Sequence, residues 1–280
     1  MKIGDLEFWL ITDGTFRLDG GAMFGVIPKP MWEKVAPADA RNRILMAMNS
    51  LLIRASEKWI LVETGAGDKW DAKRSDIYAF QDGPRLPEKL LTHGVTLEEI
   101  DIVINTHLHF DHCGWNTSVV NGEAQPLFPN ACYMVQRGEL EHAKAPTDRD
   151  RASYFPENFM PMVKSKQWGL LEGDAEIAPG VEVIRAPGHN ADMMCVRLTG
   201  GGKTVFFTAD LIPTAAHVPL PWIMGYDLYP LTTLESKKKW IPLAAREEWL
   251  MIFGHEARTP AGYLRERQGK YDLEPVMIDI

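Results

Sequence analysis

Short apolar runs punctuate this chain, rich in β-branched or aromatic residues and closed by Gly, Pro, Asp or Asn. They cover residues 8–12, 48–53, 59–62, 102–104, 132–135, 181–184, 205–208 and 250–253, and their length and composition predict strands. Helical patterns fall between some of them. Thr96-Leu97-Glu98-Glu99 has the N-cap and early acids of a helix start. Residues 137–144 and 157–166 carry helical stretches, and 232–249 is the longest, opening on Thr232, Thr233 and Glu235 as capping chemistry. Gly200-Gly201-Gly202, between apolar stretches 194–198 and 204–208, is a hairpin signal. Strands and helices mix in both halves, which predicts an α/β fold; two sheets covered by helices on their outer faces fit the pattern. No linker or shift in composition divides the 280 residues, so one domain over 1–280 is expected.

Composition narrows the function classes. A net charge of -8 argues against a broad nucleic-acid footprint, which needs clustered Lys and Arg. The one basic run, Lys237-Lys238-Lys239, reads as a solvated helix face. No apolar run approaches the roughly 20 residues of a membrane span, and the first residues alternate charged and apolar positions too soon for a signal peptide. A cytoplasmic protein without membrane or nucleic-acid partners is expected. Cys113, Cys132 and Cys195 are odd in number and show no paired spacing, which fits a reducing compartment.

The ends of the predicted strands carry the chemistry. Residues 102–104 hand over to His107, His109, Asp111 and His112; 181–184 to His189; 205–208 to Asp210; and 250–253 to His255. Five of the eight histidines sit at these handovers, and loops at strand ends are where a rigid scaffold displays binding groups. In extended backbone His107 and His109 point to one side while Leu108 turns away, so both can grip one metal. Asp111 and His112 are adjacent and need a bent backbone to point together. Two pairs of ligands suggest two metals, and imidazole with carboxylate suits zinc.

With those seven residues in order, the chain resembles the metallo-β-lactamase superfamily, whose signature is His-x-His-x-Asp-His followed by a distant His, Asp and His. The resemblance runs from Phe8 to about Glu256 and implies an αββα sandwich with a dinuclear centre. On that pattern His107, His109 and His189 hold the first metal, Asp111, His112 and His255 the second, and Asp210 bridges both. Two such ions share a water whose pKa falls towards neutrality and which attacks the substrate. Asp111 is then either a proton donor to the leaving group or a ligand alone.

Residue identities select among members. His109 stands where redox di-iron members have an acidic residue, and Asp210 where true β-lactamases have Cys or Ser. The chain is therefore similar to lactonases, glyoxalase II, organophosphate hydrolases and processing ribonucleases. Residues 256–280 are too few for the C-terminal domain of glyoxalase II, and the acidic charge runs against the ribonucleases. What the resemblance implies is a dizinc hydrolase of small hydrophobic lactones or carboxylic esters. Phosphotriester hydrolysis is the alternative, and a mononuclear-iron persulfide dioxygenase a more distant one. Quorum-signal lactonases place a Tyr shortly after the bridging Asp; here the stretch is Leu211-Ile212-Pro213-Thr214, leaving His217 or Tyr226 as substitutes. Glu63, where the superfamily usually has Asp, either orients a ligand from behind or caps its loop.

Two Gly-rich or apolar segments, 19–32 and 217–230, can overhang the metals. They offer Phe24, His217, Trp222, Met224 and Tyr226 as candidate contacts to a small-molecule substrate. The alternative is that they cover core surface or form a homodimer contact.

Overall fold

In the computed structural model, which describes residues 1–80 and 85–278, sixteen strands and eight α-helices alternate along the chain. The strands are β1 Lys2–Ile3, β2 Leu6–Asp19, β3 Arg43–Ala55, β4 Lys58–Val62, β5 Ile100–Ile104, β6 Thr117–Val120, β7 Glu123–Pro126, β8 Cys132–Gln136 and β9 Trp168–Leu171. They continue as β10 Ala175–Ala178, β11 Val181–Arg185, β12 Met194–Gly200, β13 Lys203–Phe207, β14 Leu250–Ile252, β15 Ala261–Arg267 and β16 Lys270–Pro275. The helices are α1 Gly20–Phe24, α2 Lys29–Trp32, α3 Ala72–Tyr78, α4 Leu86–Thr92, α5 Phe110–Cys113, α6 Arg137–Lys144, α7 Met160–Ser165 and α8 Pro230–Arg246.

One seven-stranded sheet has the order β1-β2-β3-β4-β5-β8-β9 and a second runs β10 to β16 in sequence order; β6 and β7 form a separate ribbon. Both large sheets are mixed. β4, β5, β8 and β9 are parallel neighbours in the first, and β13 and β14 in the second. The sheets face each other across a core to which Leu51, Ile53, Ile60, Val62, Ile102 and Ile104 contribute from one side and Val183, Val196, Val205 and Ile252 from the other. The intervening residues Leu52, Leu61 and Val103 point the opposite way, onto Leu86 and Leu90 of α4 and Leu140 of α6. Side chains alternate between faces along a strand. Because both faces are buried, these strands read in the sequence as unbroken apolar runs rather than alternating ones. Behind the second sheet, Trp240 of α8 packs on Phe206 with ring centroids 5.6 Å apart. The arrangement is a helix–sheet–sheet–helix sandwich.

Several elements differ from the sequence expectation. β2 and β3 run well past residues 8–12 and 48–53, pairing from Glu7↔Arg54 to Asp19↔Arg43 with an irregularity between Thr12 and Thr15. The polar Thr12-Asp13-Gly14 hid this continuation. Asp13 is buried there, accepting from the backbone N–H of Leu86 and Ala66 and from Trp115 Nε1. The expected helix at Thr96 is one 3-10 turn, Leu97–Glu99, because the apolar run that follows is drawn into β5 between β4 and β8. The 157–166 stretch yields only a 3-10 turn, Pro156–Asn158, and the short α7. The glycine hairpin is present: Gly200 pairs with Lys203, and Gly201 and Gly202 have φ of 56° and 72°, which a side chain would resist. In the basic run, Lys238 and Lys239 are exposed as expected, but Lys237 is fully buried.

Candidate metal centre

Strand direction brings the handovers together. β11 and β13 each run antiparallel to β12, and β13 runs parallel to β14, so β11, β13 and β14 end at the same edge of their sheet. β5 delivers its own end from the facing sheet, tied across by Met194 N–H donating to Thr106 O at 3.0 Å. The turn after β5 is α5, one short helix that supplies the bend Asp111 and His112 need, while Leu108 packs into the core.

All seven residues are buried and converge. The ligand atoms of His107, His109 and His189 lie within 4.8 Å of one another, as do those of Asp111, His112 and His255. Asp210 stands between the groups. Its Oδ2 is 3.3 Å from His189 Nε2 and 3.9 Å from His107 Nε2. Its Oδ1 is 3.1 Å from His255 Nε2 and 3.5 Å from His112 Nε2.

Outer contacts decide which imidazole nitrogen faces inward. His255 Nδ1 donates to Ala47 O at 2.8 Å, and His189 Nδ1 donates to Asp227 Oδ1 at 3.0 Å. A carbonyl or carboxylate only accepts, so the proton sits on Nδ1 and the Nε2 lone pair points into the site. His112 Nδ1 is turned towards Glu63 Oε1 at 3.4 Å, and His107 Nδ1 lies 3.0 Å from Thr106 Oγ1. Inward lone pairs then oppose one another. His189 Nε2 is 3.0 Å from His109 Nδ1, and His255 Nε2 is 3.1 Å from His112 Nε2. Among the described residues, the buried His107 Nε2, His109 Nε2 and Asp210 Oδ1 have no hydrogen-bond partner. Facing lone pairs and the orphaned acceptors His107 Nε2 and Asp210 Oδ1 are what a cation relieves, and the donor set of imidazole and carboxylate suits a borderline divalent ion. The residues therefore fit a pair of metal ions. Burial and the neighbouring imidazoles hold His107 and His109 well below the usual histidine range, leaving them neutral as ligands must be.

A cavity of about 360 Å³ opens over this cluster. His109, Asp111, His189, Asp210 and His255 form its base, and Met23, Met46, Phe110, Met224, Tyr226 and Leu228 are among its walls. Of the candidate substrate contacts, Met224 and Tyr226 line it. Phe24, His217 and Trp222 do not. Phe24 lies flat on the His217 ring at 4.7 Å and meets Trp222 edge-on at 5.6 Å, forming a layer behind the wall. His217 Nε2 donates to Met23 O and its Nδ1 accepts from Thr214 Oγ1, so both nitrogens are occupied. Segment 19–32 had no periodicity to say which of its residues faces inward; folded into α1 and α2, it turns Met23 to the cavity and Phe24 to the interior.

A family model described as the metallo-beta-lactamase superfamily matches residues 45–255, a stretch that holds most strands of the sandwich and all seven clustered residues. The chain belongs to the metallo-beta-lactamase superfamily. Among its relatives is an N-acyl homoserine lactonase of Bacillus cereus, 27% identical over 225 residues that cover 75% of this chain and 82% of the relative. A probable metal-dependent hydrolase from Staphylococcus aureus superposes with a TM-score of 0.89 at 28% identity, covering 99% of this chain and 100% of that one. A dizinc quorum-quenching lactonase, solved in complex with a product, has the same fold, with a TM-score of 0.81 at 20% identity over 100% of this chain and 97% of that chain. Among the described residues no helix is long and apolar enough to cross a membrane.

Within the superfamily sandwich, several residues that sequence reasoning missed support the cluster from outside. Asp227 takes His189 on Oδ1 and the Thr233 hydroxyl on Oδ2 at 2.6 Å. Thr233 is thus spent on Asp227 rather than on the helix cap read from the sequence. Leu228 N–H donates to His189 O and Tyr229 N–H to Gly188 O, docking the histidine loop on the start of α8. Gly188 allows this approach, since a Cβ there would lie 2.3 Å from Thr233 Oγ1. On the other flank Glu139 accepts from Leu108 N–H at 2.8 Å and from the Tyr154 hydroxyl at 3.1 Å, with Tyr154 edge-on to His109. Asp227 lies in a segment legible only as a pocket loop, and no local pattern marked Glu139. Glu63 fills both roles considered for it, since the carboxylate oxygen that faces His112 also accepts from the Thr106 N–H and hydroxyl.

Proposed function

We propose that this protein is a dinuclear metallo-hydrolase that opens small hydrophobic lactones or cleaves carboxylic esters. The observation carrying the reading is the pair of ligand clusters split across the two oxygens of Asp210 at the base of an apolar-walled cavity. His107, His109 and His189 would hold one cation, Asp111, His112 and His255 the other, and Asp210 would contact both. Bound there, two divalent ions, zinc by donor chemistry, supply an activated water and a Lewis-acid contact for the substrate carbonyl.

The chain's own residues do the rest. Met23, Met46, Met224 and Leu228 receive the apolar arm of the substrate and exclude water from it. Asp111 faces the cavity and lies 3.8 Å from His112 Nε2 and 3.7 Å from His255 Nε2, a position from which its carboxylate can take up the proton released by the attacking water and pass it to the departing alkoxide. Tyr226 brings a hydroxyl to the wall, a donor for the substrate in place of the tyrosine missing from residues 211–214. Relatedness to an N-acyl homoserine lactonase supports the lactone side of the proposal. The two-cluster geometry favours two cations over the single iron of a persulfide dioxygenase. A panel of lactones, aryl esters and aryl phosphotriesters, compared by kcat/KM on protein of measured metal content, tests the reading. Preference for phosphotriesters would move it to the alternative, and one iron per chain with oxygen uptake would end it.

Two predictions concern the surroundings. Asp227→Asn keeps the shape but weakens the hold on His189 Nδ1–H, and is expected to lower metal affinity about 10- to 100-fold in chelator competition. Unchanged affinity would remove Asp227 from the account. His93→Ala and His142→Ala are expected to leave metal content unchanged, because His93 caps α4 and His142 is bonded to Asp150 rather than turned to the cluster. Elemental analysis of the purified variants decides it.

A further inference from the structure

Lys237 lies in the middle of α8 with its side chain fully buried, and nothing in the proposed chemistry uses it. Its Nζ donates to three backbone carbonyls: His217 O at 2.7 Å, Pro219 O at 2.8 Å and Trp222 O at 2.8 Å. An ammonium has three N–H donors, so all are spent on one short stretch of chain. Taking an ammonium out of water is costly unless every donor is satisfied, and an apolar side chain could fill the same space without that penalty. What the lysine adds over such a residue is a fixed point that gathers three carbonyls and so dictates the path of the backbone around it.

That path leads directly to the cavity. Residues 217–222 run into Met224, Gly225 and Tyr226, which line it. The far end of the segment is anchored independently, by Gly225 N–H donating to Ala22 O at 2.8 Å, Arg149 Nη2 donating to Gly225 O at 2.7 Å and Asp227 bonded to His189. Between these anchors the lysine gathers the backbone behind the wall, while the His217 and Trp222 side chains are held separately, by Met23 O and by Phe24. We infer that Lys237 is a specificity-determining positioning residue, holding the 217–222 backbone so that Met224 and Tyr226 stand where they limit which acyl arms the cavity accepts. The kinetic consequence rests on the hydrolase reading; the structural one does not.

The test uses full-length, metal-loaded protein carrying Lys237→Met, which keeps the length and loses the donors. For a long-chain ester or lactone, KM is expected to rise about tenfold with kcat within about twofold, as loss of binding without loss of chemistry requires. KM for a short-chain substrate and metal content stay as in the wild type. Backbone amides within residues 217–228 are expected to exchange hydrogen faster. Lys238→Met, at the exposed neighbour paired with Glu235, changes none of these. Lys237→Gln retains part of the donor set and is read by the same criteria, with a smaller rise, should the methionine variant not fold. Unchanged KM for the long arm, or equal losses for short and long substrates, overturns the assignment. So does unchanged amide exchange, a readout that stands even if the wild type hydrolyses nothing in the panel and the hydrolase reading falls.

Discussion

Asp210→Ala is expected to release the paired cations and to lower kcat/KM by about a thousandfold or more, roughly 4 kcal/mol of transition-state stabilisation. Asp210 stands between the two groups and offers one carboxylate oxygen to each. Its Oδ2 lies near His189 and His107 and its Oδ1 near His255 and His112, all buried, so removing it takes the shared anion from two sites at once. The loss also leaves imidazoles facing one another at 3.0 and 3.1 Å without the carboxylate that offsets a charge placed there. Metal content by elemental analysis and kcat/KM on the best substrate are the measurements, with circular dichroism to show that the sandwich persists. Asp210→Asn, which keeps the shape and loses the charge, is expected to fall between. A fully active, metal-replete Asp210→Ala protein would refute the bridging role.

Chelation is the second large effect. Stripping divalent ions with a strong chelator is expected to abolish hydrolysis and lower Tm by about 10 °C or more, with zinc restoring both. A cation present at about a thousand times its Kd stabilises the native state by about 4 kcal/mol. For a chain of this size each kcal/mol moves Tm by about 2–4 °C. The structural reason is that the acceptors His107 Nε2 and Asp210 Oδ1 are buried without a hydrogen-bond partner among the described residues. Chelated protein with unchanged Tm and unchanged activity would mean that the cluster holds no cation that matters.

The two effects separate two properties of the cluster. The Asp210 variant asks whether one carboxylate joins two sites, while chelation asks whether cations sit there at all. Loss of activity in both, with Asp227→Asn intermediate in affinity, is the pattern expected of a ligand set supported from behind.

The sequence by itself determined nine of the strands, β2 to β5, β8 and β11 to β14, and the seven residues that follow their ends; the short or more polar β1, β6, β7, β9, β10, β15 and β16 were not legible in it. Apolar runs of strand length cannot be left in water, and His107, His109, Asp111 and His112 stand together in the chain. It did not determine which face each strand residue takes, because runs buried on both sides, such as Leu51-Leu52-Ile53, lack alternation. Nor did it reveal that Lys237 is buried while its neighbours are solvated, that Phe24 and His217 stack behind the cavity wall, or that Asp227 and Glu139 brace the cluster. Those facts depend on contacts between residues far apart in the chain: a buried ammonium is tolerable only where distant carbonyls happen to meet it, and a carboxylate orients a histidine only once the loops carrying them are docked. Local pattern fixes what must leave water; the packing of sheet on sheet and of loop on helix decides which polar groups go with it.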